Sequence, residues 1–129
     1  MKKLIIFAVI ILLTASIAYA KEFEVKEKAG VYQVEFKIDN LRVGANNVTI
    51  AVKDKSDKYV TDAKVEVQYS MPEGIDLPPM HFRMDMKLDG NEYKGKIKIP
   101  MQGTWATVVD IIRDGKSSSM KFYLDAYRR

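Results

Sequence analysis

The sequence contains no cysteine, one histidine, four prolines and one tryptophan in 129 residues. Without thiols there are no disulfides, no thiolate-held zinc or iron–sulfur cluster and no cysteine nucleophile. A single histidine excludes a multi-histidine metal site within one chain and the HExxH zinc motif. An excess of one charge is missing too. There are 21 basic and 17 acidic side chains, a formal +4 that falls to +2 when Lys2 and Lys3 of the leader are set aside. That balance excludes a charge-driven nucleic-acid surface. No G-x-G-x-x-G, phosphate loop or G-x-S-x-G is present, and the one histidine has no acidic orienter at a fixed spacing. The chain is therefore expected not to be an enzyme.

The one long apolar run is N-terminal. Met1-Lys2-Lys3 precedes LIIFAVIILL at residues 4–13, and small residues at Ala18 and Ala20 form an A-x-A cleavage pattern. Residues 1–20 read as a signal peptide, leaving one domain over residues 21–129. If retained, residues 4–20 have the minimum length for a membrane anchor. Either outcome predicts a periplasmic or otherwise extracytoplasmic location. An exported chain without cysteine must rely on its apolar core.

Beyond the leader, apolar and polar residues alternate, which is the signature of half-buried strands. Tyr32, Val34, Phe36 and Ile38 share a parity. So do Val48, Ile50 and Val52, then Val65, Val67 and Tyr69, then Phe82, Met84, Met86 and Leu88. Trp105, Val109 and Ile111 continue the series, as do Met120, Phe122 and Leu124. Asp89-Gly90-Asn91, Gln102-Gly103 and Asp114-Gly115 are turn signals. Residues 71–80, MPEGIDLPPM, hold three prolines and cannot run through a central strand. The prediction is an all-β, immunoglobulin-like β-sandwich of seven to eight short strands.

Methionine is unevenly spread. Met71, Met80, Met84, Met86 and Met101 cluster within 31 positions, with His81 among them. If the Asp89-Gly90 turn pairs Leu88 with Asn91, Met80 faces Ile99, Phe82 faces Ile97, Met84 faces Gly95 and Met86 faces Tyr93. A second turn at Gln102-Gly103 then sets Ile99 near Trp105. This arithmetic predicts a rim of Met71, Met80, His81, Met101 and Trp105 at one end of the sandwich. Thioethers are soft ligands of the kind that select Cu(I), and one imidazole is a good partner for them. The candidate metal ligands are Met71, Met80, His81 and Met101. The same residues also suit apolar packing, since methionine fills irregular core gaps. Met84 and Met86 share a face with Phe82 and Leu88 and are expected to be filler. Asp54, Asp57 and Asp62 crowd one loop, but without the EF-hand pattern and beside Lys53, Lys55 and Lys58.

LRVGANNVTIAVKD at residues 41–54, DAKVEVQYSMP at 62–72, the later PPM and the hairpin ending IPMQGTW resemble the YtkA-like/FixH-like domain family. The matching positions are Val43-Gly44, Asn46 or Asn47, Asp54, Ala63, Val65, Met71-Pro72, Met80, Gly90, Tyr93, Gly95, Met101, Gly103 and Trp105. The resemblance implies an extracytoplasmic immunoglobulin-like domain and an association with copper handling or oxidase assembly. The residues EGIDLPP lengthen the usual link between the Met-Pro element and the next methionine. The expected function is a non-enzymatic binding module that holds or delivers Cu(I). The alternative is a metal-free structural or protein-interaction domain of the cell envelope, with an envelope or membrane protein as partner.

Overall fold

The computed structural model describes residues 22–72 and 79–126. The signal segment, residues 73–78 of the proline-rich connection and the Tyr-Arg-Arg ending lie outside the described residues. Eight antiparallel strands follow in chain order: β1 (Phe23–Ala29), β2 (Tyr32–Ile38), β3 (Gly44–Lys53), β4 (Lys64–Met71), β5 (Met80–Asp89), β6 (Glu92–Ile99), β7 (Gly103–Arg113) and β8 (Lys116–Ala126). They form one sheet in the order β1-β2-β3-β6-β5-β4-β7-β8.

Turn chemistry fixes the hairpins. Asp114 and Gly115 both have positive φ between the paired Arg113 and Lys116, as a type I′ turn requires. Gly30 and Gly90 each supply the single positive φ, at the first central position, of a two-residue turn. The β5–β6 loop is thus Gly90-Asn91, flanked by the Asp89–Glu92 pair. The expected register placed this turn one residue too early, so every β5–β6 partner was offset by two.

The larger correction concerns what β5 pairs with. It meets β6 for only three pairs, Lys87–Lys94 to Asp89–Glu92. Its remaining length, from Met80 to Met86, pairs with β4. Consequently Met80 faces Met71, Phe82 faces Tyr69, Met84 faces Val67 and Met86 faces Val65. None faces its expected partner on β6, which pairs with β3 instead. Because β5 belongs to both ladders, the strands make a single, nearly closed barrel-like sheet rather than two separate layers.

Period-2 alternation delivers the core. Phe36, Ile38, Ile50, Val52, Val67, Ile97, Trp105, Val109, Ile111 and Leu124 are fully buried. Phe36 and Phe122 bring the two ends of the sheet together, their ring centroids 4.8 Å apart. Where β5 leaves β6, side chains replace the missing ladder. Tyr69 reaches across the interior from β4, donates its hydroxyl to the Lys98 carbonyl at 2.8 Å and accepts the Lys98 N–H at 3.1 Å. Met86 fills the space beside Gly95, whose absent Cβ would stand 2.7 Å from the Met86 sulfur. Tyr93 makes the equivalent tie at the other end. It donates to the Val60 carbonyl at 2.9 Å and accepts the Ala63 N–H at 3.1 Å, fixing the β3–β4 connection.

A methionine end and a polar row on the outer face

Antiparallel order gathers the end of β4, the start of β5, the end of β6 and the start of β7 at one end of the barrel. Met71 and Met80 are directly opposed across β4 and β5. On the other side of β4, Ser70 pairs with Ala106, and continuing that register sets Met71 beside Trp105. Gly103 admits Met71: a Cβ there would lie 2.8 Å from the Met71 methyl. Met101 begins the turn into β7, and its carbonyl accepts the Trp105 indole N–H at 3.1 Å. Met71, Met80 and Met101 are all half-buried against the core. Three of the four expected ligands are thus brought to one end of the fold, around a fully buried indole.

The grouping arises by a different route from the expected one. Met80 arrives through β4 and Met71, not through Ile99. The ring cluster beneath it is Tyr69, Phe82 and Trp105, with centroids 5.3 Å apart for Tyr69–Phe82 and 5.9 Å for Tyr69–Trp105. Burial holds the Tyr69 phenol above its ordinary pKa, and its bond to the Lys98 backbone offsets part of that rise. Met84 is 38 % exposed, whereas Met86 is buried as filler.

His81 does not join the methionines. Strand parity sends it to the outer face, where Nε2 lies 3.0 Å from Gln68 Oε1. Gln68 in turn donates Nε2–H to Asp110 Oδ2 at 2.7 Å. The other Asp110 oxygen accepts from the Ser119 hydroxyl. An acceptor-only carboxylate fixes the orientation of the Gln68 amide. Gln68 Oε1 therefore accepts from His81 Nε2–H, so this nitrogen is a donor. The row crosses β5, β4, β7 and β8. Its sequence signal was the outward parity of Gln68 and Asp110, not any motif.

Two further positions have structural work. Asn46 is buried and ties the preceding loop down: it donates to the Arg42 and Gly44 carbonyls at 2.7 and 3.0 Å and accepts the Arg42 N–H. Asp54 accepts the Ser56 and Lys58 backbone N–H groups, so its carboxylate is engaged by its own loop. Among the described residues no group of three His, Cys, Asp or Glu side chains converges as a metal site.

No curated protein and no solved structure matches the chain. A family model described as YtkA-like matches residues 26–110, from β1 to the middle of β7. That span covers most of the barrel, including both strands that present Met71 and Met80 and the turn that carries Met101. The chain belongs to the YtkA-like family.

Proposed function

We propose that the protein is an extracytoplasmic, non-enzymatic binding module that holds or delivers Cu(I) through the thioethers of Met71, Met80 and Met101. The observation that carries this reading is the cross-strand Met71–Met80 pair, with Met71 over Gly103 and Met101 tied to Trp105. Three neutral, polarisable sulfur donors suit a soft monovalent cation and bind hard ones poorly. They need no deprotonation and do not form disulfides in an oxidising compartment. Packing against the core limits how far each side chain has to be ordered on binding. In this reading His81 is not one of the inner ligands, because its parity and its bond to Gln68 direct it to the opposite face. Delivery to an envelope or membrane protein follows from the expected export of the chain and the family resemblance.

The test is anaerobic Cu(I) titration against a chromophoric chelator. Met71→Leu/Met80→Leu/Met101→Leu abolishes retention, while His81→Ala leaves it within about twofold. Retention by the triple variant overturns the thioether site. A native chain that holds no Cu(I) at micromolar chelator competition leaves the metal-free envelope domain as the function.

A further inference from the structure

The seam between β1 and β8 is shut by packing, with Phe36 against Phe122. The sheet is open elsewhere, where β5 leaves β6. The pair Asp89–Glu92 closes a two-residue turn, so its members exchange both backbone bonds. Every second residue of β5 then directs its N–H and C=O toward β6, and the residues between direct theirs at β4. Beyond Lys87 these are Asp85, Arg83 and His81. The Asp85 carbonyl still lies near Gly95. Among the described residues, Arg83 and His81 have no backbone partner on that side. On the facing edge of β6 the Lys98 backbone is already held by the Tyr69 hydroxyl. The free edge therefore belongs to β5. Met86 is the only buried residue of that strand. Phe82 and Met84, on its inward parity, are each 38 % exposed. An unpaired edge beside exposed apolar side chains is a template for another strand.

The charge around the opening selects its occupant. His81, Arg83, Lys96 and Lys98 are exposed on the outward faces beside it, with Asp85 where the strands part. Lys87 is directly opposed to Lys94. Of these four lysines only Lys94 has an acidic partner among the described residues, Asp89 at 3.3 Å. Arg83 shares Glu66 with Lys64, at 3.6 and 3.1 Å. Like charges directly opposed destabilise a sheet, so this basic row favours a counter-charge brought from outside. We infer that the opening between β5 and β6 seats an extended acidic segment of a partner protein, added as a strand to His81 and Arg83. Residues opposed in a ladder point to the same face. Acidic residues of the segment opposite His81 and Arg83 therefore stand outward, toward Lys96 and Lys98. The apolar residues that alternate with them lie over Phe82 and Met84. A second copy of β5 is disfavoured there: centred on Arg83 it opposes two guanidinium groups, and centred on Phe82 it sets Arg83 against His81. Seating needs no metal and no thioether donor, so it stands apart from the Cu(I) reading.

The test uses the full, isotope-labelled chain in a mild detergent and metal-free buffer. The probe is the capped peptide EVEVEVE, compared with KVKVKVK and with EVEVEVE N-methylated at its glutamates. The N-methylated peptide keeps the charge and loses the N–H donors that face β5. On titration EVEVEVE shifts the His81 and Arg83 amide resonances and slows their hydrogen exchange. It binds about tenfold or more tightly than either comparison peptide, since one reverses the charge and the other cannot complete the ladder. Lys96→Glu/Lys98→Glu weakens EVEVEVE by about tenfold or more, and raised salt weakens it in the native chain. Circular dichroism checks that the variant is folded. His81 and Arg83 amides that neither shift nor slow, shifts confined to another strand, or a comparison peptide that binds as tightly as EVEVEVE overturns the proposal.

Discussion

The Tyr69 hydroxyl does the work of a stretch of missing ladder, and its removal measures that work. Tyr69→Phe keeps the ring, its stacking on Phe82 and its edge contact with Trp105. It deletes one bond to the Lys98 carbonyl at 2.8 Å and one from the Lys98 N–H at 3.1 Å. Two net hydrogen bonds contribute ~1 kcal/mol each, and leaving partly buried backbone groups unpaired adds to the loss. The expected cost is ~2–3 kcal/mol. For a domain of this size that lowers Tm by ~8–15 °C. Urea denaturation at neutral pH supplies the free energy. Native-state amide exchange at Lys98 supplies the local readout, with protection falling in the variant. A loss below ~0.5 kcal/mol with Lys98 still protected refutes the argument, because the β5–β6 gap would then be closed by apolar contact alone.

Three more outcomes follow from the same contacts. Alkaline pH gives the linkage form of the first prediction: burial raises the Tyr69 phenol above its ordinary value, so its contribution is fully present below about pH 10 and is lost as pH rises through the folded-state pKa. The stability difference between the native chain and Tyr69→Phe therefore shrinks in urea titrations run above pH 10. Gly95→Ala forces a methyl to within 2.7 Å of the Met86 sulfur and costs ~1–2 kcal/mol. In a double-mutant cycle with Met86→Ala that penalty disappears, and additive losses would refute the contact. Gly103→Ala combines a φ of +137° with a Cβ 2.8 Å from the Met71 methyl. It costs ~1–3 kcal/mol and moves the Met71 methyl resonance in an NMR spectrum of methyl-labelled protein, whereas an unmoved resonance refutes the predicted contact.

Strand existence was legible because each strand is half-buried and hydropathy then repeats every second residue. Phe36, Ile50 and Val67 fall on the expected inner parity and are fully buried. The partner of each strand was not legible, since alternation is a property of one strand and pairing of two. A hairpin turn at Gly90 brings β5 and β6 together, yet pairing persists for only three positions before β5 passes to β4. Nothing in the spacing of MHFRMDMKLD records that passage. The expected rim put His81 beside Met80, but adjacent residues of a strand cannot both face the interior, and His81 bonds Gln68 on the outer face. Met84 was expected opposite Gly95, but the side chain that occupies the space there is Met86. The roles of Asn46 and Asp54 were legible only as matches to a family pattern. Their physical reason, carboxamide and carboxylate bonds to loop backbone, required coordinates.

At the methionine end, packing alone does not tell core filling from soft-ligand use. A thioether has no charge to desolvate, so the same half-buried side chain serves a core or a cation without any electrostatic mark. No pKa shift, ion pair or acidic cluster distinguishes the two uses. What distinguishes them is a substitution that preserves volume and removes the donor. Leucine in place of methionine costs less than ~1.5 kcal/mol at a packed position. If Met71, Met80 and Met101 serve only to fill space, the triple leucine variant differs from the native chain in nothing but a small change in stability. With thioether ligation it keeps its fold and loses Cu(I) retention, and the native chain gains thermal stability in the presence of Cu(I) as RT ln(1 + [L]/Kd) while the variant does not. Paired melting curves with and without Cu(I) therefore separate packing from binding. Equal metal-induced shifts in the two proteins would place the cation elsewhere.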